Sequence, residues 1–403
     1  MRSIELFAGA GGLGLGVAEA GFDHAAVVEW DRWACDTLKD NKPWPVTQGD
    51  VRVMSYDGLG TIDLVSGGPP CQPFSLGGKH NAHLDHRDMF PEAIRAVREL
   101  QPRAFVFENV KGLTRATFQN YLSYIRLQLA HPEVTARAGE PWIDHLGRLE
   151  RHETSGSNSG LRYNVVLRLL NAANHGVPQR RERIFLVGFR SDLGVEWRFP
   201  DETHSSAALA WSLTHEEEYF DRHRIGRVER RLLREVAPKI KGDKPTSLPW
   251  LTVRDAFLGL PDPELEPKAA KGFPDHRFIP GARSYPGHTG SPLDAPAKTL
   301  KAGVHGVPGG ENMLRRPNGS IRYFSVREAA RLQTFPDDFL FHGSWTETMR
   351  QLGNAVPVRL AGIVARSVAD QLHRSDERPG PIQSAGEAAP GRKRGQRPAA
   401  QTH

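Results

Sequence analysis

The fold class is decided by Ser3-Ile4-Glu5-Leu6-Phe7-Ala8-Gly9-Ala10-Gly11-Gly12-Leu13-Gly14. Its first residues predict a strand over Ser3–Phe7, its glycines predict a tight turn, and a helix follows. A second predicted strand, Ala25–Glu29, ends in an acid. Glycines let the backbone approach a ligand, and the Glu29 carboxylate could accept hydrogen bonds from ribose hydroxyls. Dinucleotide dehydrogenases and many adenosylmethionine enzymes share this geometry, and a tight turn without any ligand would have the same pattern.

Strand and helix signals continue to alternate as far as residue 130, which predicts an α/β domain with a parallel sheet, and strand signals return before residue 190. Residues 131–160 are polar and are predicted to form a surface insertion. The further predicted strands are Ile62–Ser66, Ala104–Glu108, Asn164–Leu170 and Arg183–Phe189, and the predicted helices are Pro91–Leu100 and Phe118–Leu129.

The remainder of the chain changes in composition. Residues 191–300 are rich in Pro, Trp and charged residues, which indicates a separate, smaller domain. Helical patterns return at Val326–Thr334 and Val358–Leu372. The basic tail that follows has no apolar pattern and is predicted to be disordered. We therefore divide the chain into residues 1–190, 191–351, 352–373 and 374–403.

Composition limits the class of protein. The 403 residues carry a net charge of +6, which is weak evidence for a polyanionic partner. Two cysteines exclude a disulfide framework and a zinc site built on several thiolates, and we predict no metal. No apolar run reaches the roughly eighteen residues of a membrane span, and the chain begins almost directly with a strand, which leaves no room for a signal peptide. A cytosolic protein is expected.

A cysteine and a carboxylate follow two of the predicted strands. Ser66-Gly67-Gly68-Pro69-Pro70-Cys71-Gln72-Pro73-Phe74-Ser75 continues from one strand, and Glu108-Asn109-Val110 continues from the other. The carboxyl ends of strands in open α/β sheets are where ligands bind, so both groups should face one crevice. A lone cysteine is most often a small buried hydrophobic residue, as we expect for Cys35 in a helical pattern. Cys71 instead lies in a proline-rich turn.

The chain resembles the DNA cytosine-5 methyltransferase family of the restriction-modification type. The likeness covers most of the chain except about 191–300 and the tail, and its motifs occur in the order of the family. The matching segments are Phe7-Ala8-Gly9-Ala10-Gly11-Gly12, Pro70-Cys71-Gln72, Glu108-Asn109-Val110, Gln179-Arg180-Arg181-Glu182-Arg183, Arg327-Glu328 through Arg331-Leu332-Gln333 with Phe335-Pro336-Asp337, and Gly353-Asn354-Ala355-Val356-Pro357.

The resemblance implies an S-adenosylmethionine-dependent, Rossmann-like domain plus a smaller target-recognition domain, with residues 352–373 returning to the first. It implies methylation of cytosine C5 within a specific double-stranded DNA sequence, on a flipped-out base. Cys71 would add to C6, because C5 alone is a poor nucleophile. Glu108 would bond to N3 and the exocyclic amine, and Arg183 would face O2 with Arg181 close by.

The resemblance also implies ligand contacts. Trp30 could pack near the adenine or belong to the core, and the loop after Cys71 could close on DNA or be a solvated surface loop. A monomer is expected, and whether a separate cognate restriction endonuclease exists is open. The implied cofactor residues are Phe7, Gly9, Gly11, Gly12, Leu13, Glu29, Trp30, Asp50, Pro70, Asn354 and Val356, and the implied DNA contacts are Gln72, Ser75, Lys79, Arg87 and Thr299.

Other functions fit these residues less well. A nicotinamide dehydrogenase would not explain Cys71 beside Glu108. A zinc cytosine deaminase needs a second cysteine where Phe74 stands. An RNA cytosine-5 methyltransferase of the transfer-RNA type would add a late cysteine, which is absent, and a non-catalytic DNA-binding module would not need all these groups together. The basic segment 222–244 is typical of a solvated helix face or of phosphate contacts.

Overall fold

A seven-stranded sheet lies at the centre of the residues that the computed structural model describes, 1–70, 88–156, 160–286, 288–302 and 312–377. The strand order is β3-β2-β1-β4-β5-β7-β6, and β7 alone runs antiparallel to its neighbours. The strands are β1 Arg2–Leu6, β2 Asp23–Glu29, β3 Val46–Gln48, β4 Leu64–Gly67, β5 Ala104–Val110, β6 Tyr163–Asn171 and β7 Glu182–Arg190.

The predicted α/β class is confirmed. The central strands explain why the apolar pattern of the sequence predicted them. All of β4 is buried, as is β5 up to Asn109. Strands covered on both faces have continuous apolar sequences and not an alternating pattern. Helices cover both faces of the sheet, beginning with α1 Gly12–Glu19, α2 Arg32–Asn41, α3 Phe90–Leu100, α4 Gln119–Ala130 and α5 Trp142–Thr154.

Helix α5 corrects the prediction that 131–160 is only a polar surface insertion. His145, Leu146 and Leu149 of this helix are buried. The phenol of Tyr124 in α4 lies 2.8 Å from His145 Nδ1. The apolar residues are few but lie on one helical face, which is sufficient to pack a peripheral helix onto α4.

The residues after 190 form smaller elements that contribute to two further buried clusters. Helices α6–α8 enclose a cluster that includes Leu213, Tyr219 and Phe220. A second cluster joins Phe324 and Leu332 to Leu15 of α1. The remaining elements are β8 His204–Ser205, α6 Ser206–His215, α7 Glu218–Arg222, α8 Arg227–Val236, β9 Leu248–Pro249, α9 Val253–Ala256, α10 Pro267–Ala270, β10 Ser291–Pro292, β11 Met313–Arg315, β12 Ile321–Tyr323, α11 Val326–Leu332, α12 Trp345–Asn354 and α13 Val358–Asp376.

The last helix packs closely on the first. A Cβ added to Gly16 would lie 2.4 Å from the backbone nitrogen of Gly362, so only glycine fits where α1 and α13 cross. The two helices, with β4, β5 and β7, form one buried cluster on this face of the sheet. Helix α13 runs to Asp376, three residues past the predicted boundary at 373. The predicted disordered tail beyond Glu377 lies outside the described residues.

Candidate active site

A buried ion pair lies where the end of β5 meets the beginning of β7. Arg183 Nε is 2.7 Å from Glu108 Oε1. Burial raises the pKa of Glu108, and the positive charges of Arg183 and Arg181 oppose this shift without cancelling it. The carboxyl therefore holds a proton more readily than an exposed glutamate. The antiparallel register brings the two residues together although they are far apart in the sequence, with Val110 opposite Arg183.

The backbone that leads to Cys71 lies directly against this pair. A Cβ added to Gly68 would be 3.4 Å from Glu108 Oε2. Asn109 donates from Nδ2 to the Pro69 carbonyl at 2.9 Å, so the residue after the acid fixes the turn before the cysteine. Sequence reasoning included Asn109 in a motif but gave it no role. Cys71, Gln72, Ser75, Lys79 and Arg87 lie outside the described residues, so their predicted roles stay predictions.

Arg181 is enclosed by protein and has no exposed surface. Its guanidinium donates to the carbonyls of Leu300 at 2.9 Å and Gly353 at 2.7 Å. A Cβ added to Gly353 would lie 2.3 Å from the Ala302 nitrogen, so these backbones are in close contact. The contacts identify Arg181 as a group that fastens three segments beside the site. Both contacts are made within the described residues, and the predicted catalytic role of Arg181 stays a prediction.

Thr299, predicted to lie near the DNA, borders the arginine segment. Its hydroxyl donates to the Arg180 carbonyl at 2.6 Å. Gln179 pairs with Ala297 as an isolated bridge, and its Oε1 accepts from the Leu300 amide at 3.0 Å. The structure thus brings Thr299 to the edge of the site. No sequence pattern had indicated this pairing, because the two segments are more than a hundred residues apart.

The glycine-rich turn is clamped by Glu29 at the end of β2. One carboxylate oxygen accepts from the Gly9 amide at 2.6 Å, and the other accepts from the amides of Trp30 and Asp31 at 2.8 Å each. Gly9 and Gly11 have φ of 54° and 84°, which glycine adopts without strain. Phe7 has φ 55°, which is strained for a bulky residue.

Trp30 does not belong to the core. The side chain is 67% exposed, directly after the clamped carboxylate. This contradicts the core alternative and leaves the indole available for a planar ligand. Asp50 is already engaged, because its carboxylate lies 2.6 Å from Arg52 and caps the short turn Val51–Val53. An adenine amine at Asp50 would have to share the carboxylate with Arg52.

Residues from the two ends of the chain meet at the start of α1. A Cβ on Gly12 would be 2.2 Å from the Val356 carbonyl. Leu13 and Val356 are buried in the same cluster, so their side chains serve the packing of α1 against α13. Asn354, the last residue of α12, is exposed, as is Pro70. The side chains of Asn354 and Pro70 are therefore exposed to solvent, whereas those of Leu13 and Val356 are buried.

The basic segment 222–244 is partly neutralised by ion pairs. Arg222, Arg230, Arg234 and Lys244 pair with acids of α6–α9 and their connections. Arg231 pairs with Glu235, so the cations of the described segment 222–244 without an ion-pair partner are Arg224, Arg227, Lys239 and Lys241, which leaves a smaller basic surface than the composition predicted. Among the described residues, no group of three or more His, Cys, Asp or Glu side chains could hold a metal ion, and no helix could span a membrane.

The fold identifies a structural class. The mixed sheet, the glycine turn after β1 and the acid that ends β2 define a Rossmann-like α/β fold. The S. pombe Dnmt2 methyltransferase has a similar structure, with a TM-score of 0.54 and 16% identity over 93% of this chain and 99% of that chain. At this identity the likeness shows the fold alone.

Sequence comparison then identifies the family. The family model for C-5 cytosine-specific DNA methylases matches residues 1–131, 155–244 and 283–370, so the chain belongs to that family and is a DNA cytosine methyltransferase. Type II methyltransferase M.NgoMIV of Neisseria gonorrhoeae is 31% identical over 93% of this chain and 99% of its own length. Type II methyltransferase M.Eco47II of Escherichia coli is 30% identical over 93% of this chain and 80% of its own length. The predicted family is confirmed, and helix α5 lies in a segment that the family model does not match.

Proposed function

We propose that this chain transfers the methyl group of S-adenosylmethionine to C5 of a cytosine flipped out of a specific double-stranded DNA sequence, with Cys71 as the covalent nucleophile. The observation that carries the proposal is the buried Glu108–Arg183 pair, whose carboxyl would lie 3.4 Å from a Cβ added to Gly68, three residues before Cys71. We place the Cys71 thiolate after this turn, where an acid with a raised pKa and a forked cation would be its neighbours. That combination suits addition to an electron-poor ring.

The chemistry assigns a role to each group. The Cys71 sulfur forms a bond to C6, and the electron pair of the C5–C6 bond moves to C5. The Glu108 carboxyl, whose pKa is raised by burial, takes up a proton and donates it to N3 as negative charge develops on the ring. Bound S-adenosylmethionine supplies the electrophilic methyl group for C5. A water molecule then takes the C5 proton, the N3 proton returns to Glu108, and the C5–H electron pair restores the C5–C6 double bond as the thiolate leaves.

Arg183 completes the pocket for the base. Its Nε faces Glu108 and its Nη1 donates to the Glu182 carbonyl at 2.9 Å. Nη2 has no hydrogen bond within the described chain and could donate to O2 of the cytosine. The planar guanidinium thus orients the acid and reads the base at once. We place Arg181 behind it as a positioning residue.

The residues around the glycine turn fit the cofactor. The turn leaves room for a ligand at Gly9, where an added Cβ would meet nothing within 4 Å, and the exposed Trp30 offers a flat surface for an adenine. We propose that Glu29 holds the ribose while it clamps Gly9, and that Phe7, Asp50, Pro70 and Asn354 line the same cleft. Gly12, Leu13 and Val356 would contribute through their backbone, because their side-chain positions are filled by helix packing.

We propose residues 191–351 as the target-recognition part, with Thr299 at the edge of the DNA and Gln72, Ser75, Lys79 and Arg87 as further DNA contacts. The relatives named above are type II methyltransferases, which supports a role in a cytosolic restriction-modification system and a separately acting endonuclease. A positively charged surface attracts the phosphate backbone, and base contacts then set the sequence. The sequence that is read would emerge from bisulfite or nanopore mapping of DNA from cells that express the chain.

Covalent trapping tests the proposal. Fluorine at C5 cannot leave as a cation, so a duplex with 5-fluorocytosine at the mapped target should remain bonded to the protein after methyl transfer. We expect an adduct that survives denaturing electrophoresis, requires S-adenosylmethionine and is absent in Cys71→Ser, because a serine alkoxide is far less accessible than a thiolate. Cys35→Ser is the matched control and should still form the adduct, since Cys35 is buried.

The trapping experiment has clear contrary outcomes. An adduct that forms equally well in Cys71→Ser would show that the nucleophile is misassigned. An RNA hairpin with the same fluorinated base, tested in parallel, separates the RNA alternative. Trapping of RNA but not of the duplex would overturn the assignment of the substrate.

A further inference from the structure

Glu5 is a carboxyl group buried within the central sheet, where the proposed mechanism does not use it. The residue lies on β1 and is 1% exposed. Its neighbours Ile4 and Leu6 face a core cluster on one side of the sheet, so the side chain of Glu5 faces the side on which α1 lies. An isolated carboxyl in such a place is costly, which calls for a role that an apolar residue could not fill.

The Glu5 carboxyl joins three elements. Ser66, its direct neighbour across the parallel pairing of β1 with β4, donates from its hydroxyl to the carboxyl group. A backbone hydrogen bond from Gly14 in the first turn of α1 reaches the same carboxyl. Glu5 therefore links the strand on which it lies, the neighbouring strand and the helix above them.

The same residue of the helix, Gly14, also contacts a histidine through its carbonyl group. His24 Nε2 lies 3.0 Å from the Gly14 carbonyl, and Nδ1 lies 3.0 Å from the Ser3 hydroxyl. Because a carbonyl can only accept, Nε2 carries the proton and Ser3 donates to Nδ1. Burial lowers the pKa of His24, so the ring is neutral. The N–H of Gly14 thus binds Glu5, and the carbonyl of Gly14 binds His24.

Two of the three joined elements, β1 and β4, each continue into one half of the proposed site. Strand β1 leads into the glycine-rich turn, and β4 leads into the turn before Cys71. The strands are also in close contact here, because a Cβ on Gly67 would lie 2.3 Å from the Leu6 carbonyl. A displacement of Glu5 would therefore change the separation of the two turns, and with it the distance between the bound methyl group and the nucleophile.

We propose that Glu5 is a positioning residue that fixes the cofactor turn and the nucleophile turn relative to each other, through Gly14 on one side and Ser66 on the other. The inference rests on the proposed binding of S-adenosylmethionine at the glycine turn and on Cys71 as the nucleophile. The inference adds a physical link between the cofactor turn and the nucleophile turn.

The coupling should depend on the protonation of Glu5. Burial raises the pKa of Glu5 to about 8, opposed only by the hydrogen bonds of Ser66 and Gly14. Among the titratable groups of the described elements packed around it, His24 of β2 is neutral, Arg2 and Asp23 begin β1 and β2, Glu29 ends β2 at the clamp, Glu19 lies at the far end of α1, and Leu64–Gly67 of β4 has none. The two hydrogen bonds favour the carboxylate, but burial outweighs them and favours the neutral acid.

Four variants of the full-length chain test this inference. Glu5→Gln keeps the shape and the hydrogen-bonding capacity without a titration, whereas Glu5→Ala and Ser66→Ala each remove one end of the link. Tyr163→Phe is the matched control. It removes a buried hydrogen bond to the Pro102 carbonyl from β6, the edge strand of the sheet, which is distant from Glu5. For each we would measure the Kd of S-adenosylhomocysteine by calorimetry and the single-turnover rate of adduct formation with the fluorinated duplex, at pH 7 and pH 9.

We expect Glu5→Ala and Ser66→Ala to raise the Kd and to slow adduct formation, each by roughly tenfold, the usual cost of an unpaired buried group. The wild type should lose cofactor affinity above pH 8, and Glu5→Gln should not. If Glu5→Ala and Ser66→Ala behave like Tyr163→Phe, or if Glu5→Gln shows the same pH dependence as the wild type, the inference is overturned. A wild type that neither binds the cofactor product nor forms an adduct would instead overturn the proposed function.

Discussion

The guanidinium of Arg183 and the carboxylate of Glu108 are 2.7 Å apart, and their side chains are only 11% and 8% exposed. A buried ion pair seldom adds stability over well-packed apolar residues, since both ions lose their hydration. This pair lies at the carboxyl end of β5, where ligands of α/β sheets bind. Its cost is therefore best explained by chemistry, and substitutions there should affect the reaction more than the fold.

Glu108→Gln should slow methyl transfer by roughly 10²- to 10⁴-fold, the usual contribution of a positioned acid. The amide keeps the shape of the side chain but cannot supply a proton to N3. Single-turnover transfer of a labelled methyl group to DNA measures the loss. Glu182→Gln is the matched control, since this partly exposed acid pairs with Lys111 and should have little effect. Equal rates for the wild type and Glu108→Gln would remove the acid from the mechanism.

Arg181→Met should lower the free energy of unfolding by about 3 kcal/mol, because it leaves the buried carbonyls of Leu300 and Gly353 without donors. Urea denaturation measures the change. Arg180→Met serves as the control, because Arg180 is exposed, and its stability should stay within about 0.5 kcal/mol of the wild type. If the two variants were equally stable, Arg181 would not be the fastening residue that its contacts indicate.

Glu5 should make stability depend on pH. Its pKa is about 8 in the folded chain against 4.5 for a free side chain, so between pH 5 and pH 8 the unfolded chain releases a proton that the folded chain keeps. The free energy of unfolding should then fall by about 1.4 kcal/mol per pH unit from this group. Other groups also titrate, so the quantity to compare is the wild type minus Glu5→Gln. A difference that stays constant from pH 5 to pH 8 would contradict the raised pKa.

The sequence predicted the fold well where apolar patterns are continuous, as in Ala104–Glu108, and failed where few apolar residues lie on one face, as in α5. It placed Glu108 at the crevice because this residue follows a strand, whereas Arg183 was assigned to the same site only through the resemblance to the family. It could not predict that Arg181 turns away toward Leu300, since that contact joins segments more than a hundred residues apart. Nor could it place Trp30, because the same side chain suits a core and a ligand surface.

Glu29→Ala should weaken cofactor binding more than DNA binding. The carboxylate holds the Gly9 amide at 2.6 Å, and its loss would release the glycine turn as well as any contact with the ribose. We expect a roughly tenfold rise in the Kd of S-adenosylhomocysteine, with DNA affinity within about twofold. Separate titrations of the two ligands measure this. Equal losses for both ligands would point to a general role in folding.

Trp30→Ala tests whether the exposed indole binds the cofactor. An indole that is 67% exposed contributes little to folding, so the melting temperature should hardly change. If the ring packs against an adenine, its removal should cost about 1 kcal/mol of cofactor binding, roughly a fivefold rise in Kd, while Trp30→Phe should recover most of the loss. Ile143→Ala is the matched control, because Ile143 is 51% exposed on α5, beside no proposed ligand. A Kd that Trp30→Ala leaves at the wild-type value, as Ile143→Ala should, would show that the exposed indole does not bind the cofactor, and the adenine would have to be held elsewhere along the cleft.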